Sequence, residues 1–398
     1  MSGDSIPITR RRLGCLTVPA IASVRRAFSQ GAPTGRTTLK LERDFRNAYL
    51  LAVSPDGKRV CLYFTETRQE TFTLSSGRWL HKNAQRSRDT LSVLDLKTGA
   101  AVFSGTFRAK VYPASFFTDG ERLYAETGSF LQNGELVTQQ TVVDLPSGKT
   151  AERIAPIDSG TAFGFHAIRE DTLLVQSYDQ NLKRSVTLTQ ARWPTFGVIR
   201  RSAYATQERE EAGRDSEKYI SADRNILAYG FDHTIVCRYT GDLSVIWTTK
   251  VAPEFIGAWR LAISADGRYV AAALTDSAFS NREKKYDVRV YEGEHGKEIT
   301  RLAVSGTDGI AISPNGKLLA AAHTVRDKRG AVPTVFIYEV GTAVMLASVE
   351  HETVTSNPFM NASFGLHGID FTSDGKYLIT SAQDTRLWAI GDLIKTHA

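Results

Sequence analysis

Apolar and polar positions alternate in short bursts along this chain, and the bursts follow one recurring phrase. Leu51-Ala52-Val53-Ser54-Pro55-Asp56-Gly57-Lys58 returns as Leu261-Ala262-Ile263-Ser264-Ala265-Asp266-Gly267-Arg268. It returns again as Ile310-Ala311-Ile312-Ser313-Pro314-Asn315-Gly316-Lys317 and as Ile369-Asp370-Phe371-Thr372-Ser373-Asp374-Gly375-Lys376. Each copy reads as an apolar strand, a tight Asp/Asn-Gly turn and a second apolar strand, so an internal repeat sets the architecture.

Seven units can be traced. Unit one runs from Leu50 through the Asp56-Gly57 turn to Arg59–Phe64, then Thr90–Leu96, a Lys97-Thr98-Gly99 turn and Ala101–Phe107. Unit two has Pro113–Phe117, an Asp119-Gly120 turn, Leu123–Glu126, Thr141–Leu145, a Ser147-Gly148 turn and Thr150–Ile154. Unit three is degenerate, with Phe163–Ile168, Glu170-Asp171 in place of a glycine turn, Leu173–Ser177 and Ser185–Thr189. Unit four reads Tyr219–Asp223, Ile226–Tyr229, Thr234–Tyr239, a Thr240-Gly241-Asp242 turn and Ser244–Lys250. Units five and six return to the clear phrase, with third strands at Val288–Glu292 and Thr334–Glu339. Unit seven has Ile369–Thr372, Lys376–Ser381 and Thr385–Ile390, and then lacks an outer strand.

Four short antiparallel strands per unit, seven times over, predict an all-β, seven-bladed β-propeller. From position 56 to position 374 there are six steps, or 53 residues per repeat, and the excess over a compact blade falls in loops. Thr37–Glu42 alternates like a strand and has no partner of its own, so it is expected to complete blade seven and close the ring. Tyr377-Leu378-Ile379-Thr380-Ser381-Ala382-Gln383-Asp384-Thr385-Arg386-Leu387-Trp388 is similar to the second and third strands of a WD40 blade. Over residues 37–390 the chain resembles the WD40/YVTN-type seven-bladed propellers. The chain has no Trp-Asp pair, so the resemblance places the hydrogen-bonded tetrad of WD40 blades only around Ser381 and Asp384. It implies a fold and no particular activity.

In a propeller blade the 1–2 and 3–4 turns share one face, and the 2–3 loops and inter-blade connections share the other. The turns on the first face are short. The long segments Thr65–Asp89, Thr127–Gln140, Gln190–Lys218, Thr275–Asp287, Thr324–Pro333 and Glu350–Leu366 all fall on the second, which marks it as the binding face. Arg78, Trp79, His81, Lys82, Arg86 and Arg88 in one of them, and Arg326, Lys328 and Arg329 in another, predict a basic rim with aromatics, joined at the channel by Trp259. That chemistry suits an acidic segment of another protein, a glycan or another anionic ligand. Within Gln190–Lys218 the apolar Trp193, Phe196, Val198 and Ile199 are expected to fold back over the ring, with a short charged helix over Ala203–Arg214.

Charge changes the picture little. The net charge of +6 includes Arg10, Arg11, Arg12, Arg25 and Arg26 against Asp4, so residues 31–398 carry only +2 and no nucleic-acid surface is expected. Residues 1–30 read as a leader or tail ahead of a single propeller domain over 31–398. Thr9-Arg10-Arg11-Arg12-Leu13, followed by an apolar stretch and Ala20-Ile21-Ala22, resembles a twin-arginine signal and predicts an exported, periplasmic or extracellular protein. A mitochondrial presequence or a plain basic tail on a cytoplasmic protein are the alternatives. No apolar run is long enough to span a bilayer. Cys61 and Cys237 fall in distant units and are read as buried thiols, with Cys15 in the leader. The ring is expected to be monomeric.

Reactive constellations are few. The chain has no Gly-x-Ser-x-Gly elbow, no His-x-x-x-His or Cys-x-x-Cys metal spacing and no phosphate-binding glycine loop, so no cofactor and no metal are predicted. The residual acid–base candidates are His166, His323, His367 and Glu126, with His233 nearby, at strand ends that line the channel mouth. Some propeller lactonases resemble this family and place His and Glu at such positions. A small-molecule hydrolase is therefore the alternative to an interaction module.

Overall fold

The computed structural model describes residues 39–46, 48–65, 73–75, 78–80, 89–107, 114–132, 135–154, 161–179, 185–205, 219–220, 225–231, 234–251, 255, 257–275, 286–304, 307–327, 330–352, 368–382, 384–391 and 393. Strand β1 (Lys40–Phe45) precedes the first blade, which contains β2 (Ala48–Val53), β3 (Arg59–Thr65), β6 (Asp89–Asp95) and β7 (Ala101–Phe107). A two-stranded insertion, β4 (Thr73–Ser75) and β5 (Arg78–Leu80), lies between β3 and β6. Blade two is β8 (Ala114–Phe116), β9 (Arg122–Gln132), β10 (Glu135–Asp144) and β11 (Lys149–Ile154). Blade three is β12 (Thr161–Arg169), β13 (Thr172–Asp179), β14 (Ser185–Arg192) and β15 (Gly197–Ala205). Blade four is β16 (Tyr219–Ile220), β17 (Ile226–Phe231), β18 (Thr234–Tyr239) and β19 (Val245–Lys250). Blade five is β20 (Gly257–Ile263), β21 (Tyr269–Thr275), β22 (Tyr286–Glu292) and β23 (Glu298–Val304). Blade six is β24 (Gly309–Ile312), β25 (Leu318–Asp327), β26 (Gly330–Glu339) and β27 (Met345–Glu350). Blade seven is β28 (Gly368–Phe371), β29 (Tyr377–Ser381) and β30 (Thr385–Ala389), completed by β1.

The ring is an all-β, seven-bladed propeller closed as the sequence implies. β1 pairs antiparallel with β30, Lys40 opposite Ala389 and Phe45 opposite Thr385, a few residues later than the Thr37–Glu42 register expected. Arg386 reinforces the seam, its Nε 3.6 Å from Asp44 Oδ1. Closure leaves no inner or middle strand of the last blade unpaired on this side.

The repeated phrase has a specific chemistry. In blade one Ser54 Oγ donates to Asp56 Oδ1 at 2.6 Å, the same oxygen accepts from Lys58 N at 3.0 Å, and Arg59 N donates to Ser54 Oγ at 2.9 Å. The same three bonds recur from Ser264–Asp266, Ser313–Asn315 and Thr372–Asp374. A hydroxyl and a carboxylate or amide two residues apart thus cap the turn amides that no strand can reach. The following glycine sits at positive φ, and Gly57, Gly267 and Gly316 also face the adjoining blade. A Cβ on Gly316 (φ 69°) would lie 2.1 Å from the Tyr269 ring of blade five. The phrase therefore locks blades together as well as reversing the chain.

The 3–4 turns share a second rule. In five blades the amide of one residue donates to the carbonyl four positions back, and that residue is left-handed: Gly99, Phe196 (φ 54°), Leu243 (φ 60°), Gly296 and Ala343 (φ 59°). Blade three has this hairpin too, which the sequence pattern does not signal. Gln190–Lys218 is not one long loop. β14 runs on to Arg192, turns through residues 193–196, and returns as β15, the fourth strand of the blade. Ala203–Ala205 is strand rather than helix, and residues 206–218 lie outside the described residues.

The core lies between blades. Ala271, Ala273, Val288 and Val290 of blade five pack on Ile310, Ile312, Leu319 and Ala321 of blade six. Ala320, Ala322, Val335 and Ile337 on the other face of blade six pack on Phe371, Leu378 and Trp388 of blade seven. Period-two alternation puts one apolar set on each face, so middle strands such as β3, β17, β18 and β21 read as nearly continuous apolar runs. Each fully buried leucine of the kind seen at Leu62, Leu91 and Leu123 contributes roughly 1.5–3 kcal/mol. Cys61 and Cys237 are free and buried in blades one and four, and burial raises both thiol pKa values, that of Cys237 to about 12.

Candidate interaction face

The face opposite the short turns is built from strand as much as from loop. β9 and β10 stay paired out to Gln132 opposite Glu135, whereas β11 pairs only with Gln139–Asp144 and β8 only with Leu123–Ala125. Among the described residues the outer part of this hairpin therefore has no ladder partner but itself. β25 and β26 do the same, paired out to Asp327 opposite Gly330 while β24 ends its pairing at Ala322 and β27 at Thr334. Thr127–Gln140 and Thr324–Pro333 are thus hairpin extensions rather than open loops. The Thr65–Asp89 segment carries the β4–β5 pair, with Thr73 opposite Leu80 and Ser75 opposite Arg78. β-branched residues such as Val137, Thr138, Val325 and Val332 explain why these stretches stay extended.

The predicted rim maps onto these elements in part. Arg78 and Trp79 lie on β5, Arg326 lies on β25 opposite Ala331, and Trp259 lies at the register shift of β20 between Ala258 and Arg260. His81, Lys82, Arg86, Arg88, Lys328 and Arg329 lie outside the described residues. Trp193 and Phe196 leave this face. They belong to the 3–4 turn of blade three, edge to face at 5.5 Å, in a cluster with Phe117, Tyr124 and Leu173. Val198 and Ile199 are exposed on β15 instead of folding over the ring.

The acid–base candidates are spread over the ring. Glu126 is on β9 opposite Gln140, His166 on β12 opposite Leu174, and His323 on β25 opposite Thr334, three different blades. His367 and His233 lie outside the described residues. Around His323 the structure gathers groups that the sequence does not single out. Thr324 Oγ1 donates to Asp308 Oδ2 at 2.7 Å, and Arg260 Nε donates to the Asp308 carbonyl at 2.9 Å, tying β20 of blade five to blade six. Burial lowers the His323 pKa, and the Asp308 carboxylate offsets part of that. This favours a neutral imidazole beside a carboxylate already held by a threonine, an arrangement suited to fixing the connection into β24. Asp308 precedes a glycine and a strand, which in sequence looks like one more turn. Among the described residues no group of three or more His, Cys, Asp or Glu could hold a metal ion, and no helix is long and apolar enough to cross a membrane.

No protein-family model matches the chain, and no curated protein matches it either. Solved structures do. The β-propeller domain of Cps50 (Swd1) from Myceliophteria thermophila aligns with a TM-score of 0.55 at 11% identity, over 89% of this chain and 99% of that one. A chain of the mitotic checkpoint complex aligns with a TM-score of 0.55 at 11% identity, over 91% of this chain and 99% of its own. At that identity the likeness concerns the fold, and with the seven four-stranded sheets it is decisive there: the chain is a seven-bladed β-propeller.

Proposed function

We propose that this propeller is an interaction module that holds an acidic segment of a partner protein on its hairpin face. The observation that carries the reading is the pair of hairpins, β9–β10 and β25–β26, whose outer parts extend past their neighbouring strands on one face and, among the described residues, pair only with each other. Projecting ribbons of this kind offer side chains to a partner while the blades hold their roots fixed. Arginines at positions 78 and 326, on the inserted pair and on one projecting hairpin, supply forked donors suited to carboxylates, and neighbouring Lys82, Arg86, Lys328 and Arg329 add charge in the sequence. The arginine-rich leader supports an exported protein; a leader–reporter fusion that stays inside the cell would contradict export.

Replacing Arg78, Lys82 and Arg86 together by glutamate tests the interaction. The variant should keep the circular dichroism and melting curve of the ring and should lose the captured protein from a native-host extract. Capture of an unchanged partner would remove this rim from the account, and loss of binding after deglycosylation of the partner would point to a glycan instead.

A further inference from the structure

The face that carries the short turns has a groove of its own. It occupies about 730 Å³ where blades three, four and five meet. Ile226, buried, and Ile246, half-buried, give it an apolar base, and Tyr239 stands beside them 47% exposed. The apolar surface continues outward. Val245 follows the turn, and Arg200 Nη1 donates to the Asp242 carbonyl at 3.2 Å, bringing β15 with its exposed Val198 and Ile199 alongside. Three of the large apolar residues that this protein exposes, Val198, Ile199 and Val245, therefore lie on the two outer strands next to the groove, and Tyr239 ends β18 beside them.

The charges around it are not equivalent. Arg268 Nε is ion-paired with Asp266, and Arg169 Nη2 donates to Asn225 Oδ1. Asp242 accepts from Ser244 Oγ at 2.6 Å and from Ser244 N at 2.9 Å, bonds that lower its pKa and hold it ionised, with a smaller favourable contribution from the Arg200 charge. Glu294 has an 80% exposed side chain, its Oε1 4.0 Å from His295 Nε2. Among the described residues neither Asp242 nor Glu294 makes an ion pair with a lysine or arginine. The groove thus presents an apolar base, one exposed aromatic ring and two carboxylates that make no lysine or arginine ion pair among the described residues, Asp242 with Arg200 held on its carbonyl and Glu294 reaching into solvent.

We infer that this groove binds an extended peptide in which a lysine or arginine stands beside an aliphatic or aromatic residue. The cation meets Asp242 and Glu294, the apolar neighbour lies on Ile246 and the Tyr239 ring, and the ring also receives the stem of the basic side chain. This site is independent of the hairpin face and has the opposite charge preference. One propeller would then hold an acidic segment on one face and a basic one on the other.

The test is a random decapeptide library displayed on phage and selected against the full-length chain. Enriched peptides are then synthesised with a fluorescein label and titrated by anisotropy. They should carry a basic residue next to an apolar one. Glu294→Lys, Tyr239→Ser and Asp242→Asn, which keeps the oxygen that Ser244 holds, should each weaken binding by about tenfold or less, and Glu294→Lys with Tyr239→Ser by more than tenfold. Arg78→Glu on the other face should leave the affinity unchanged. Near-ultraviolet circular dichroism checks that each variant is folded. Enrichment of acidic peptides alone, affinities unmoved by the groove variants, or no enrichment at all would overturn the proposal, and peptides sensitive only to Arg78→Glu would assign them to the hairpin face.

Discussion

The indole Nε1 of Trp388 donates to the hydroxyl of Thr380 at 2.9 Å, inside blade seven, and Nε2 of His351 lies 2.8 Å from the same oxygen. Thr380 accepts from the tryptophan, so its own proton is available to a neutral His351. His351 comes from the end of blade six, and the Asp384 carboxylate is close enough to act on its titration. The tetrad expected at Ser381 and Asp384 is therefore built on Thr380. Ser381 acts elsewhere. Its hydroxyl bonds with Thr385 Oγ1 at 3.0 Å and accepts from Leu50 N, locking blade seven to blade one. Trp388→Phe removes the donor and leaves a smaller ring in a buried site, and should cost about 2–4 kcal/mol in urea unfolding.

His351 also makes stability depend on pH. Burial, reinforced by the Arg386 charge and opposed by Asp384, lowers its pKa from 6.5 to about 4. In the unfolded chain it takes a proton near pH 6.5, and in the folded chain only near pH 4. Its contribution is complete above pH 6.5 and is lost as the pH falls from 6.5 towards 4, up to about 3 kcal/mol. Chemical unfolding of His351→Gln over this window should show a flatter slope than the wild type. A second loss should begin below about pH 4. The turn carboxylates of Asp56, Asp266 and Asp374 have lowered pKa values because hydrogen bonds from hydroxyls and turn amides outweigh the effect of burial, and that stabilisation disappears as they protonate.

The turn glycines separate two costs. Gly148 has φ 66° and nothing within 4 Å of a would-be Cβ, so Gly148→Ala should cost about 1 kcal/mol, the left-handed penalty alone. Gly316 has nearly the same φ but faces the Tyr269 ring, so Gly316→Ala should cost at least about 2 kcal/mol more. Ala343 holds the left-handed position of blade six, and Ala343→Gly should raise stability by about 0.5–1 kcal/mol. Equal losses for the two glycines would mean that the turn does not lock adjoining blades.

Ring closure is testable by truncation. Removing residues 1–45 deletes β1, exposes the edge of β30 and frees Arg386 from Asp44, and should broaden the thermal transition and promote association. Removing residues 1–36 leaves β1 whole and should leave the melting temperature nearly unchanged. Differential scanning calorimetry of both truncations decides it.

Much of this fold is legible in the sequence because glycine, aspartate and serine mark turns by their own chemistry. Units with Ser-x-Asp-Gly, such as Ser264–Gly267, are placed to within a residue or two. Blade three reads short because its outer hairpin turns on Phe196, a residue whose side chain does not advertise a left-handed backbone, and its run of apolar residues resembles a folded-back loop. His351 escapes the sequence pattern because it is contiguous in space with Thr380 and Trp388 but not along the chain. The hairpin face is legible as a place, since segment lengths alone locate it. That β9–β10 and β25–β26 remain paired is not, because cross-strand partners such as Gln132 and Glu135 leave no local mark.

The central claim is that a partner sits on the hairpin face. Site-specific photocrosslinking in the native host tests it most directly, with benzoylphenylalanine placed at Thr138 on β10 or Ala331 on β26, and at Ser147 in the short turn of blade two as the contrast. The account predicts one shared adduct from positions 138 and 331 and none from 147. An adduct from 147 with none from the hairpins would contradict it.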